Sequence, residues 1–281
     1  MKNYFHARML APDLTDAQEK RYNWLLNHAP LLKIGSVNKL LSRLTPPLYN
    51  GELGRAFLQE LGIDYRLIGR ENMPTTGAMT IVSNHPGGAD VIASISALSE
   101  HRPDMAVLAN KLICIEPVRD IVIPVNTLAK GRRSVDDTEI HEAYQAGKVV
   151  VFFAAGMNSR YNEQGKLRDR RWRTSFLKFA HEYNTPVHVM RISGKNSPLF
   201  YRVSKVRNSI KALANVPLEN MFQLREMVRK QPEIRLYLSE EVDLPELRGP
   251  ELPKGGELHR IADALYDFLY TMDGNHLTYQ P

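Results

Sequence analysis

His85 and Asp90 stand five positions apart in Ser83-Asn84-His85-Pro86-Gly87-Gly88-Ala89-Asp90. An imidazole with one nitrogen oriented by a carboxylate keeps the other free to take a proton, which is what a general base requires. On one straight helix the two side chains would point to nearly opposite sides, at about 100° per residue. Pro86, Gly87 and Gly88 instead turn the chain between them and let backbone approach closely. Residues 79–82 read as a short buried strand, and residues 90–99 as a helix with Asp90 at its cap or first turn. Strand, tight turn and helix would put His85 on the turn with Asp90 beneath it.

A second stretch could complete such a site. The apolar run 149–153 reads as a buried strand, and it leads through Ala154-Ala155-Gly156-Met157 into Asn158-Ser159-Arg160. Exposed backbone N–H groups with an arginine fork would suit an anion or a carbonyl oxygen. Taken singly, each stretch has a plainer reading: caps of a strand and a helix in the first case, an ordinary strand-to-loop passage in the second.

Holding the two stretches together takes a layered frame. Beyond residue 63 short apolar strands, near 64–68, 80–83, 105–109, 120–125, 149–153, 187–192 and 234–238, alternate with helical periods near 90–99, 135–146, 172–182, 217–230 and 256–271. This alternation predicts an α/β fold, a mixed, largely parallel sheet flanked by helices, over residues 63–281. Leu258, Ile261, Ala262, Leu265, Phe268 and Leu269 make one stripe of the last helix, which would seal the core. Residues 1–62 form an N-terminal amphipathic helical segment. Its first 26 residues read as helical with a cap at Asp13 or Thr15. Leu31, Leu32, Ile34, Val37, Leu40, Leu41 and Leu44 then recur at helical spacing among Lys33, Lys39 and Arg43. Past Pro46-Pro47 a further helix runs through Leu53, Ala56, Phe57, Leu58 and Leu61. Two short amphipathic helices with basic flanks suit either a membrane interface or packing on the α/β domain.

With 281 residues, 43% of them hydrophobic and 24% charged, the chain can bury a good core. Cys114, the one cysteine, allows no intramolecular disulfide and fits a reducing compartment. The stretch Met1 to Arg8 lacks the apolar centre of a signal peptide, and no apolar run approaches the ~18 residues of a spanning helix. The expectation from these features is a chain in a reducing compartment that does not cross a membrane. Lys and Arg exceed Asp and Glu by 37 to 31, with basic clusters at Lys130, Arg132 and Arg133, at 166–173, and at Lys205, Arg207 and Lys211. Such a charge is compatible with anionic lipid, an acidic carrier protein or the phosphates of a coenzyme, or with a merely solvated face. Nucleic acid is disfavoured, because no recognised motif or aromatic interleaving accompanies the basic residues. No metal or cofactor is expected: there is no HExxH, no Cys/His cluster and no Gly-rich P-loop. A GxSxG nucleophile elbow is also absent.

Asn84-His85 followed by Asp90 resembles the His-four-residues-Asp motif of the glycerolipid acyltransferase superfamily, which includes the 1-acylglycerol-3-phosphate acyltransferases. Phe153-Ala154-Ala155-Gly156 sits where that superfamily has Phe-Pro-Glu-Gly, and Pro186-Val187-His188-Val189-Met190-Arg191-Ile192-Ser193-Gly194 resembles a later block. Ser159-Arg160, Asp169 with Trp172, and Gly194-Lys195-Asn196-Ser197 before Phe200-Tyr201 look like the hemolysin-like branch. Members of that branch resemble O-acyltransferases of ornithine or glycine lipids. The likeness runs from about residue 35 to residue 215. Ala155 replaces the glutamate of the glycerophosphate-using branch, and Asn158 stands where that branch often has an arginine. Both changes weaken the case for glycerol 3-phosphate or lysophosphatidic acid as acceptor. Ala154 and Met157 depart from the hemolysin-like pattern as well.

The resemblance implies transfer of a fatty acyl group from an acyl-carrier-protein or coenzyme A thioester to the hydroxyl of a lyso-lipid at a membrane surface. It also implies a cytoplasmic location, peripheral to the inner face of the membrane. His85 would be the base, Asp90 its orienting partner, and a start-of-helix position would lower the pKa of the ring. Asn84, Gly87, Gly88, Gly156, Asn158, Ser159 and Arg160 would bind substrate, the glycines supplying N–H groups to the oxyanion. Lys111, Arg132 and Arg133 are candidate contacts to the headgroup or donor. The rival expectation is a catalytically weak lipid- or acyl-carrier-binding protein on the same fold.

Overall fold

Short, mostly apolar stretches, of which the unbroken run Val149–Phe153 is the clearest, make strands buried within a sheet covered on both faces. The computed structural model describes residues 2–9, 13–110, 113–125, 137–209 and 218–280. The strands are β1 (Tyr65–Ile68), β2 (Met79–Ser83), β3 (Met105–Asn110), β4 (Val122–Val125), β5 (Val149–Phe153), β8 (Val187–Ile192) and β9 (Ile234–Leu238). They form one sheet in the order β1-β9-β8-β2-β5-β3-β4. Every pair is parallel except β8 with β9. The α/β class, the mixed sheet and all seven expected strands are therefore present, with strand ends within two residues of those read from sequence.

Alternation along each strand divides the core in two. Val82, Val150, Phe152, Val187 and Val189 face one layer. That layer holds buried residues of α5 (Thr138–Gln145), α6 (Ser175–Glu182) and α9 (Gly255–Thr271). The other side chains of the same strands, Met79, Ile81, Val149, Val151, Met190 and Ile192, face α4 (Asp90–Ser99). The α9 stripe, Leu258 through Leu269, is buried as its spacing predicts.

The N-terminal part differs from expectation at its start. Residues 1–26 are not one helix. Tyr4 and Phe5 are buried in an irregular arm, where the Phe5 N–H donates to Asn38 Oδ1 at 2.9 Å and Asn38 Nδ2 donates back to Phe5 O at 2.9 Å. Helix α1 (Asp16–His28) begins only after Thr15, whose side chain and that of Gln18 form a capping box. Helices α2 (Ile34–Leu44) and α3 (Asn50–Glu60) flank the Pro46-Pro47 break, and they bury Val37, Leu41, Leu53, Phe57 and Leu58. Their apolar stripes pack on the body of the protein, where α3 lies against α4. Two features escaped the sequence reading: the small hairpin β6 (Arg160–Tyr161) with β7 (Leu167–Arg168), and helix α7 (Pro198–Ser209). Helix α8 (Leu218–Met227) follows α7.

Candidate active site

β2 is the central strand, and His85 lies just beyond its carboxyl end, where ligands bind in open α/β sheets. Asn84 fixes that end. Its Oδ1 accepts the Ile192 N–H at 2.7 Å and its Nδ2 donates to Ile192 O at 2.9 Å, so a side chain continues the β2–β8 ladder where β2 stops. Asn84 is buried, with both polar ends engaged by backbone, so it braces the turn.

The turn itself needs its glycines. Gly87 and Gly88 have φ of 97° and 72°, and a Cβ on Gly87 would stand 2.2 Å from the Asn196 side chain. This geometry brings His85 Nδ1 to 2.7 Å from Asp90 Oδ2. The same carboxylate oxygen accepts the Gly87 N–H at 2.7 Å, while Oδ1 accepts the Val91 N–H at 2.8 Å. An oxygen surrounded by donors orients Nδ1 as the protonated nitrogen and leaves Nε2 as the acceptor. Asn158 Nδ2 donates to that Nε2 at 3.1 Å, and the Phe153 ring lies 4.9 Å from the imidazole centre. The Asp90 side chain is 1% exposed and that of His85 18%, so the pair is anchored inside with one ring edge reachable.

Burial works against a charged His85 ring. The Asp90 carboxylate and its hydrogen bond, with Asp169 adding, outweigh burial and the opposing Arg160, and hold the ring pKa above its ordinary value. The lowering expected from the start of α4 is therefore reversed, because a direct carboxylate contact exceeds the partial charge of a helix end.

Three expected oxyanion donors are already committed. The Gly87 N–H serves Asp90, the Gly88 N–H donates to Asn196 Oδ1 at 2.7 Å, and the Gly156 N–H donates to Phe153 O at 2.9 Å. Arg160 is not an open fork either. Its guanidinium donates to Asn158 O at 2.9 Å, to Ser159 O at 3.1 Å and to Ser204 Oγ at 3.1 Å, and lies over the Phe200 ring. It ties the 158–160 loop to α7. Ser159 is buried; its N–H donates to His85 O at 2.7 Å and its hydroxyl to Asp169 Oδ1 at 2.5 Å. Among the expected substrate residues, Asn158 is the one whose side chain meets His85 Nε2. The Arg173 guanidinium flanks Gly156, about where a Cβ on that glycine would come within 3.3 Å of it. Lys111, Arg132 and Arg133 lie outside the described residues. Sequence spacing missed Asn196 and Phe153 as parts of the site; their only signal was membership in conspicuous blocks. Among the described residues no group of His, Cys, Asp and Glu could hold a metal ion.

The profile of the acyltransferase family matches residues 32–257, most of the chain and all of this site. The chain belongs to this acyltransferase family. Two bacterial relatives, both named lyso-glycine lipid O-acyltransferase, align with it. The protein of Phocaeicola vulgatus is 28% identical over 167 residues, 58% of this chain and 59% of its own. That of Bacteroides thetaiotaomicron is 28% identical over 178 residues, 60% of this chain and 64% of its own. The chain thus spans about three fifths of the length of these relatives. The crystal structure of the 1-acyl-sn-glycerophosphate acyltransferase PlsC from Thermotoga maritima overlays with a TM-score of 0.46 at 15% identity, over 88% of this chain and 95% of that one.

Proposed function

We propose that this acyltransferase moves a fatty acyl group from an acyl thioester to the hydroxyl of a lyso-lipid, with His85 as general base and Asp90 as its orienting partner. One observation carries the chemistry: a histidine anchored through Nδ1 to a buried carboxylate presents Nε2 at the carboxyl end of the central strand. The acceptor hydroxyl displaces Asn158 from Nε2, gives its proton to that nitrogen and attacks the thioester carbonyl carbon. Collapse of the tetrahedral adduct breaks the C–S bond, and the imidazolium returns the proton to the departing thiolate. Asp90 stabilises the ring while it is charged. General-base help is worth ~10²- to 10⁴-fold, so positioning must supply much of the rest.

An apolar cavity has Val91, the residue after Asp90, among its walls. Leu41, Leu53, Phe57, Ile92 and Ile95 are also among them, and such walls suit a hydrocarbon chain. The names of the two relatives, together with Ala155 and Asn158, favour a lyso-glycine lipid over a phosphate-bearing acceptor.

The reading includes a position on the inner face of the membrane, with residues 1–62 as the membrane-facing unit. Support comes from α1 rather than from the buried stripes of α2 and α3. Tyr22, Trp24 and Leu25, with Leu31 just beyond, are exposed apolar side chains next to Lys20, Arg21 and Lys33. Among the described residues no helix is long and apolar enough to cross a membrane.

The test is acyl transfer by purified protein with vesicles. Acyl-carrier-protein and coenzyme A thioesters are each offered to lyso-glycine lipid, lysophosphatidic acid and other lysophospholipids. Product from one donor and acceptor pair is expected, falling ~10²- to 10⁴-fold in His85→Ala. Turnover retained by that variant would remove His85 from the chemistry. Lipid binding without product from any pair would leave a binding protein on an acyltransferase fold.

A further inference from the structure

Asp169 has no place in the proton path, yet it is a carboxylate only 6% exposed, in the loop after β7. Its Oδ1 accepts the Ser159 hydroxyl at 2.5 Å and the His85 backbone N–H at 3.3 Å, and its Oδ2 accepts the Trp172 indole N–H at 3.1 Å. Ser159 in turn donates its own N–H to His85 O at 2.7 Å. The peptide groups on both sides of the base are thus held, one by the carboxylate and one by the serine that the carboxylate grips. Asp169 is itself fixed by α9: its N–H donates to Tyr270 Oη at 2.8 Å, and the Tyr266 hydroxyl donates to its carbonyl oxygen at 2.9 Å.

Among the described residues no Lys or Arg forms an ion pair with this carboxylate, and burial pushes its pKa up against the Ser159, Trp172 and His85 hydrogen bonds. Burial makes this carboxyl costly to ionise, and a cation held close by offsets that cost. The cation it can serve is the imidazolium. The charged groups acting on His85 are Asp90 from α4, Asp169, and Arg160 from β6, which opposes them. Those around Asp169 are His85, Arg168 stacked on Tyr270, and the Tyr266 and Tyr270 phenols.

We infer that Asp169 is a positioning residue for the base: held by α9, it fixes the His85 peptide and contributes the second negative charge that supports the ring once protonated. This rests on the acyl-transfer reading of His85. Asp169→Asn alone would set a carboxamide N–H₂ against a neighbouring donor, so it is combined with Trp172→Phe, which removes the indole N–H. kcat/KM is measured against pH for wild type, Trp172→Phe and Asp169→Asn/Trp172→Phe, each checked for folding by circular dichroism. Relative to Trp172→Phe, the double variant is expected to keep its acceptor KM and lose about tenfold in kcat, with its acid limb at lower pH. An acid limb left in place in the folded double variant overturns the inference, since a purely structural contact would not set it.

A second readout needs neither the variant nor turnover. In wild-type protein with ¹³C-labelled aspartate, the Asp169 carboxyl resonance is expected to show a step at the pH where the His85 ring titrates, and the step disappears in His85→Ala. Absence of that step in wild type overturns the inference. Its presence without acyl transfer keeps the His85–Asp169 coupling and overturns only the enzymatic reading.

Discussion

Asp90 does two jobs with one oxygen, orienting the imidazole and satisfying the Gly87 N–H that the tight turn exposes. Its removal therefore has a directional signature. Because the Asp90 carboxylate holds the His85 pKa above the ordinary value against burial, Asp90→Asn lets it fall. A base works when neutral, so the acid limb of kcat/KM should move to lower pH while kcat drops by ~10²-fold or more, read from rate profiles across pH 5 to 8. A fixed acid limb would detach Asp90 from the ring. The same coupling contributes to folding. A raised histidine pKa adds stability that is fully present below the unfolded value and fades as pH climbs through the folded one. His85 and Asp90 were legible in the sequence because they are neighbours and need only one turn to meet. Asn196 and Asp169 were not legible as partners, since they reach the same turn across 108 and 84 residues of chain.

Strands were the most readable elements, and residues 149–153, apolar on both faces, are the clearest of them. Helix α7 was missed because Arg202, Ser204 and Lys205 interrupt its apolar stripe and Pro198 reads as a breaker, although proline is at home in a first helical turn. The arm ahead of α1 was misread as helix because its anchor, Asn38, lies 33 residues away. What joins the elements at the site is a set of side chains acting as backbone. Asn84 extends β2 toward β8, so Asn84→Ala strips the Ile192 N–H and C=O of partners in a buried place. A loss of about 1–3 kcal/mol in unfolding free energy is expected by urea titration. A change below a few tenths would mean that water replaces the carboxamide.

At the scale of the whole molecule, the proposed lipid contact of the exposed apolar side chains of α1, together with the positive net charge, carries a prediction. The chain has two tryptophans, Trp172 buried and Trp24 59% exposed, so any change of emission on lipid reports Trp24. Anionic vesicles should shift that emission to the blue, and raised salt should weaken the binding. Trp24→Ala should weaken partitioning about tenfold, the scale of one large apolar side chain leaving the interface. An unshifted spectrum in the presence of bound vesicles would place lipid on another face. Tyr266 and Tyr270, which seat Asp169, also fix an order of assembly. During synthesis the His85–Asp90 pair leaves the ribosome early, whereas the tyrosines that clamp its loop emerge some 180 residues later. A nascent chain thus carries the His85–Asp90 pair long before the tyrosines that seat Asp169 beside it exist.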